Sequence, residues 1–265
     1  RGVHRILGGK DAEQLEFPWQ ISLRRELPLV NADGGHTCSG SIISDQYVLT
    51  AAHCVSGLFS FPSNYLVMVG DQNINEKDTT EDAILVESVR GRPLSTHVHG
   101  HPDWDRDTLR SDYAMLKLQT PLDFGGRHKH LMPICLPEKD DDFEGLNCTA
   151  SGWGLTKDSE SALPSQLRNV DMPIIPYDAC KEYYKDIIEI DEDTMVCAGY
   201  DQGGKSVCQG DSGGPLQCPR TDGRFVLAGA ASFGVTCAGA KQPGVFSRVS
   251  THLDWIRSNA GMDGN

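Results

Sequence analysis

Apolar residues along the chain come in short bursts separated by turn residues, with no long 3.6-residue period. Residues 19–23, 41–50, 65–69, 83–89, 113–118, 147–152, 166–172, 215–217, 225–232 and 244–249 each read as β-strands. Strands at this spacing, with no long helices between them, predict an all-β protein built as a barrel or sandwich. One helix is expected at the C-terminus over 250–260, where Leu253, Trp255 and Ile256 line one side. A second helical turn is expected over 176–184. Residues 119–137 collect prolines, glycines and the cluster Arg127-His128-Lys129-His130, and read as a connector between two halves.

Composition narrows the class. The 265 residues, 38% hydrophobic and 23% charged, suffice for one large or two small globular domains. With 24 basic against 37 acidic residues the net charge is −13, which argues against a nucleic-acid partner. No apolar run approaches the ~18 residues of a membrane helix, so no membrane partner is expected. The nine cysteines are scattered singly from Cys38 to Cys237 without any C-x-x-C pair. They read as disulfides plus one left over, in a secreted protein. The sequence starts at Arg1 without Met or an apolar signal segment, so a targeting sequence is expected to have been removed or never included.

The strongest chemical signal is Gly210-Asp211-Ser212-Gly213-Gly214-Pro215. Glycines beside a serine let backbone N–H groups turn toward a reacting carbonyl. The segment also matches the G-x-S-x-G elbow of esterases, but those place their acid and histidine after the serine. Here the only later histidine is His252, in the expected C-terminal helix. Thr50-Ala51-Ala52-His53-Cys54 precedes the serine, and Ser111-Asp112-Tyr113 lies between. Any one of these residues alone would read as an ordinary buried polar group. The three in the order His, Asp, Ser point to nucleophilic catalysis.

From Arg5 onward the chain resembles the serine proteases of the trypsin/chymotrypsin family. Arg5-Ile6-Leu7-Gly8-Gly9, Phe17-Pro18-Trp19-Gln20, Ser151-Gly152-Trp153-Gly154 and Pro243-Gly244-Val245-Phe246 stand in the family's order around the histidine and serine motifs. The resemblance implies two antiparallel Greek-key β-barrels with the active site in the cleft between them and a C-terminal helix. The first barrel would span about 6–128, the second, with the helix, about 129–265. It implies Ser212 as nucleophile, His53 as general base and then acid, and Asp112 as the group that orients the imidazole. The N–H groups of Gly210 and Ser212 would form the oxyanion hole, Ser232 would hydrogen-bond Asp112, and no cofactor would be needed for catalysis.

The same resemblance implies a zymogen. Cleavage between Arg5 and Ile6 would free an amine that pairs with Asp211, leaving 1–5 as a propeptide remnant. Specificity would rest on Ser206, Val207, Gln209, Ser232, Phe233, Gly234 and Gly244. Trypsin-like enzymes carry aspartate where Ser206 stands, so a chymotrypsin-like preference for Phe, Tyr, Leu or Met is implied. Phe233 replaces the family's usual tryptophan, and the alternative is an elastase-like or broad-specificity protease, for example digestive or fibrinolytic. Such a pocket would cut poorly after Arg5, so a separate trypsin-like activating protease is implied. The other partners expected are protein or peptide substrates and protein inhibitors, with the enzyme a monomer. A catalytically silent binding homologue and an esterase of unrelated fold are the competing readings.

The family pattern would pair Cys38 with Cys54, Cys148 with Cys218, Cys180 with Cys197, and Cys208 with Cys237. Cys135 remains, with a partner expected upstream of Arg1 or else as a lone buried thiol. Asp71, Asn73, Glu76, Asp78 and Glu81 resemble the family's calcium loop; hard oxygen donors suit Ca²⁺, and a solvated acidic loop is the alternative. His97, His99 and His101 alternate and on a strand could grip a transition metal, although exposed histidines beside the cleft are the plainer reading. Asn147-Cys148-Thr149 is a glycosylation sequon whose expected half-buried strand makes occupancy doubtful.

Overall fold

The computed structural model describes residues 8–27, 32–56, 62–90, 101–157 and 159–262. The strands are β1 (Lys10–Asp11), β2 (Gln20–Leu27), β3 (Ala32–Ile42), β4 (Tyr47–Thr50), β5 (Tyr65–Val69), β6 (Asp82–Arg90), β7 (Ala114–Leu118), β8 (Asn147–Gly152), β9 (Arg168–Pro173), β10 (Met195–Ala198), β11 (Pro215–Pro219), β12 (Phe225–Phe233) and β13 (Gly244–Arg248). The helices are α1 (Ala52–Val55), α2 (Tyr177–Tyr184) and α3 (Leu253–Ala260), with 3-10 turns at Pro62–Asn64 and Ser250–His252. The fold is all-β with a C-terminal helix.

Six strands close into a barrel in the order β2-β3-β4-β7-β6-β5. Alternation along β2 explains its two faces: Ile21 and Leu23 point into the barrel core with Ile42, Leu49, Val67 and Met115, while Ser22 and Arg24 share the opposite side. The remaining strands form a seven-stranded sheet, β1-β9-β8-β11-β12-β13-β10. That sheet curls on itself. A bridge joins Ile174 to Ala198, and the N–H groups of Ile175 and Gly199 donate to the carbonyls of Cys197 and Pro173 at 3.0 Å, linking the end of β9 to β10. Val170, Met172, Val196, Leu216, Val226 and Phe246 fill its interior. The N-terminal β1 pairs with β9, Lys10 opposite Asn169, so the start of the chain is stitched to the second sheet. At the other end, Leu253, Ile256 and Ala260 of α3 pack into the first barrel's core cluster.

A buried polar seam joins the two halves. Trp19 Nε1 donates to Gln217 Oε1 at 2.6 Å, Gln217 Nε2 to Ser151 Oγ at 3.3 Å, and Ser151 Oγ to Gln20 Oε1 at 2.7 Å. Trp19 and Gln20 lead into β2, whereas Ser151 and Gln217 belong to β8 and β11.

Two expectations change. The run 41–50 is two strands because Ser44 Oγ accepts the N–H groups of Gln46 and Tyr47, at 3.3 and 3.1 Å, and turns the chain. Of the alternating histidines, His97 and His99 lie outside the described residues. His101 is buried, its ring 4.8 Å from that of His252 and 4.7 Å from that of Trp255, so it is not the exposed histidine expected.

Candidate active site

Thr50 ends β4 on the rim of the first barrel, and α1 begins two residues on, carrying His53. A disulfide between Cys38 and Cys54 ties α1 to β3. Asp112 sits at the entry to β7 with no exposure. Its Oδ1 accepts the backbone N–H of His53 at 2.9 Å, and its Oδ2 lies 2.7 Å from His53 Nδ1 and accepts the Ser232 hydroxyl at 2.6 Å. A carboxylate at Nδ1 places the proton there and leaves Nε2 as an acceptor. Burial disfavours the charged ring, but the hydrogen bond and charge of Asp112 outweigh it and hold the His53 pKa above its ordinary value.

Ser212 reaches the same seam from the second sheet. Its carbonyl accepts the N–H of Ser39 at 2.7 Å. Gly213 follows at φ +78°, where an added Cβ would lie 2.1 Å from Thr50 Oγ1 and 2.5 Å from the Ser39 carbonyl. Only glycine lets this turn rest against β3 and β4. Among the described residues no hydrogen bond joins Ser212 Oγ to His53, and the partner recorded for Nε2 is Cys54 Sγ at 3.7 Å. Such contacts are commonly long before substrate arrives.

Within the turn, the N–H groups of Asp211, Gly213 and Gly214 donate to the carbonyls of Cys208, Ala231 and Asp211. Among the described residues those of Gly210 and Ser212 donate to no carbonyl, which leaves two donors side by side for an incoming oxygen. Gly210 adopts φ +100°. Its carbonyl pairs with His36 Nε2 at 2.8 Å, and His36 Nδ1 lies 2.8 Å from Ser22 Oγ. Burial, aided by the nearby charge of Arg24 and opposed by the Gly210 carbonyl, pushes the His36 pKa down to about 4. His36 is therefore neutral at pH 7 and donates from Nε2. Asp211 is buried and accepts the N–H groups of Gly154 at 2.7 Å and Cys208 at 2.8 Å. Burial pushes its pKa up to about 6, against those two bonds and the charge of Arg168. Arg5 and Ile6 lie outside the described residues.

Beside Ser212 a cavity of about 190 Å³ opens, lined by Val207, Gln209, Ser232, Phe233 and Gly234, with Ala231, Val235 and Thr236, and spanned by the Cys208–Cys237 disulfide. No lining residue is charged. Two of the expected pocket residues fall outside the lining: Ser206 is buried, and Gly244 faces Val207, whose Cγ2 would lie 3.1 Å from an added Cβ. At Gly234 an added Cβ would meet only the Thr236 carbonyl at 3.9 Å, so that wall is open. Ala231, Val235 and Thr236 were missed in the sequence; for the last two, their place between a wall glycine and a bridged cysteine was the available signal. A second cavity of about 230 Å³, lined by Phe143, Ile174 and Met195 among others, contains none of the three catalytic candidates.

Cys148–Cys218 and Cys180–Cys197 complete the four expected disulfides, and Cys135 is a partly exposed free thiol. Asn147 is exposed at the start of β8, a strand otherwise mostly buried. In the acidic loop, carboxylate oxygens of Asp71, Asp78 and Glu81 lie within 4.8 Å of one another. Asp71 Oδ2 pairs with Arg24 at 2.7 Å, and its Oδ1 is buried without a hydrogen-bond partner. Burial pushes the Asp71 pKa up to about 6, against Arg24 and with repulsion from Glu81 and Asp78. Asp78 is held by the N–H groups of Gln72 and Asn73 at 2.7 and 2.9 Å. Glu76 is exposed, and its N–H donates to the Asn73 carbonyl.

Compared with known proteins, residues 6–256 match the family model described as Trypsin. The chain is 39% identical over 254 residues to the serine proteinase stubble of Drosophila melanogaster, covering 95% of this chain and 30% of that protein. Transmembrane protease serine 9 of Rattus norvegicus is 36% identical over 97% of this chain and 22% of its own length. Serine protease filzig of Drosophila melanogaster is also 36% identical, over 97% of this chain and 14% of its own. The chain thus spans less than a third of each of these relatives.

Proposed function

The chain belongs to the trypsin family of serine proteases, and from that premise we propose a secreted endopeptidase that cuts after large apolar or aromatic residues. The observation that carries the specificity is the uncharged cavity beside Ser212, open at Gly234 and lined by Val207 and Phe233. An Arg or Lys side chain entering it would be desolvated without a counter-ion, whereas an aromatic ring would lose only water contacts.

His53 Nε2 takes the proton of Ser212 as Oγ attacks the scissile carbonyl, and Asp112 stabilises the imidazolium that forms. The carbonyl oxygen, now negative, receives the free N–H groups of Gly210 and Ser212; each such donor contributes about 3–4 kcal/mol to the transition state. His53 then protonates the leaving amine. A water molecule, deprotonated by the same ring, releases the acyl group from Ser212 Oγ.

The enzyme is made as a zymogen, in this reading, and the Ile6 amine released by cleavage supplies a cation for buried Asp211. A cavity without charge does not accept Arg5, so activation falls to a trypsin-like protease. Four disulfides support an oxidising, extracellular setting, and Cys135 would pair upstream of Arg1. No helix among the described residues is long and apolar enough to cross a membrane. The domain acts alone on protein or peptide substrates, and protein inhibitors would present an apolar residue to the same cavity.

Calcium fits the acidic loop on one observation, the buried and unpartnered Oδ1 of Asp71. Asp71, Asp78 and Glu81 would hold it, with the carbonyls of Asn73 and Glu76, and it would offset their mutual repulsion.

The Ser212→Ala protein tests both the activation and the pocket. Trypsin should cut it at Arg5–Ile6 and the active form of this enzyme should not. Efficient cleavage there by the active form would remove the apolar assignment.

A further inference from the structure

Arg24 is an unusual residue for a barrel strand, because its guanidinium is turned away from the core of its own barrel and yet is only 10% exposed. It enters the 70–82 loop. Nη2 lies 2.7 Å from Asp71 Oδ2 and 3.3 Å from the carbonyl of Ile74. Carboxylate oxygens of Asp78 and Glu81 lie within 4.8 Å of one of Asp71's, so the buried guanidinium pairs with one member of a cluster of three acidic groups. The side chain also reaches the other way: Nε is 3.4 Å from Ser22 Oγ, which meets His36, which holds the Gly210 carbonyl.

We propose that Arg24 is a resident counter-cation of the acidic loop, which keeps the loop folded without metal and sets its calcium affinity by competing for Asp71. This rests on the calcium reading above and is independent of the substrate preference. The physical argument is one of shared ligands. A divalent ion bound by Asp71 must either displace the guanidinium from Oδ2 or sit on Oδ1 beside a positive charge a few ångströms away, and in a partly buried loop that repulsion is only weakly screened. Removing the charge leaves the three carboxylates without the guanidinium that pairs with Asp71, so a bound calcium ion gains their full attraction.

Calorimetric titration with CaCl₂ and thermal melts in EDTA or CaCl₂ test the proposal on the whole chain and on Arg24→Gln and Arg24→Lys. The wild-type protein should bind calcium weakly and melt at nearly the same temperature in both buffers. Arg24→Gln should melt lower in EDTA, recover in calcium, and bind the ion roughly tenfold or more tightly than wild type. Arg24→Lys, which keeps the charge but lacks the planar fork, should fall between the two. Should Arg24→Gln fold under neither condition, the affinity of Arg24→Lys decides, with no tightening counting against the proposal. Equal, tight calcium binding by wild type and Arg24→Gln would overturn the role of Arg24 and leave the calcium site standing. No binding by any of the three proteins would overturn both.

Discussion

Buried Asp112 accepts a backbone N–H, the Ser232 hydroxyl and the His53 ring, and the consequence falls on His53. A general base must be neutral to work, and the His53 pKa is raised. The acid limb of the kcat/KM profile should therefore have its midpoint above the ordinary histidine value of 6.5; a midpoint below it would contradict the assignment. Asp112→Asn should lower kcat at neutral pH by roughly 10⁴-fold, through the wrong tautomer, with the fold intact by circular dichroism. At the pocket, Gly234→Val should close the open wall. Cleavage after Phe should drop roughly a hundredfold while cleavage after Ala survives, a difference read from kcat/KM on matched peptides. The catalytic candidates were legible because chain order and short motifs carry them. The lining was less so: Ser206 marks an absence of charge, but which side chains face the cavity depends on how Val207 stands between it and Gly244.

Among the elements, the turn from Cys208 to Gly214 makes the site, and it depends on contact with β3 and β4. Gly213→Ala would drive a methyl into Thr50 Oγ1 and force a residue with a Cβ to φ +78°. Urea denaturation should show a loss of about 1–3 kcal/mol, accompanied by loss of turnover; unchanged stability would mean that the turn does not rest on the first barrel. The strands that alternate or run long and apolar were readable, as was α3 from its one-sided apolar positions. β10 was not, because four consecutive buried residues, Met195–Ala198, carry no period. α1 escaped too: it is one turn long with no side-chain cap at Ala51, and tertiary contacts, including the Cys38–Cys54 bridge, hold it in place.

For the whole molecule, the proposed chemistry requires a closed six-stranded barrel and a seven-stranded sheet to stay in register, since His53 and Asp112 come from the first and Ser212 from the second. The buried seam of Trp19, Gln20, Ser151 and Gln217 provides hydrogen bonds with fixed geometry where apolar packing alone would tolerate sliding. Gln217→Leu strands Trp19 Nε1 without its acceptor and should cost about 1–3 kcal/mol, seen as a lower urea midpoint with an unchanged slope. Trp19, Gln20 and Ser151 stood in the motifs that carry the resemblance, but their joining with Gln217 across the two halves was not legible, because Gln and Ser residues in strands look the same whether they face solvent or another domain. The acidity of the chain, by contrast, was plain from composition and bears on solubility rather than on fold.

The most direct test of the account compares kcat/KM for two peptides that differ only in the residue before the scissile bond, Phe or Arg, using enzyme activated by trypsin and then freed of it. The uncharged cavity predicts that the Phe peptide is cut at least about a hundredfold more efficiently, with Ser212→Ala inactive on both. Equal or faster cleavage of the Arg peptide would contradict the account.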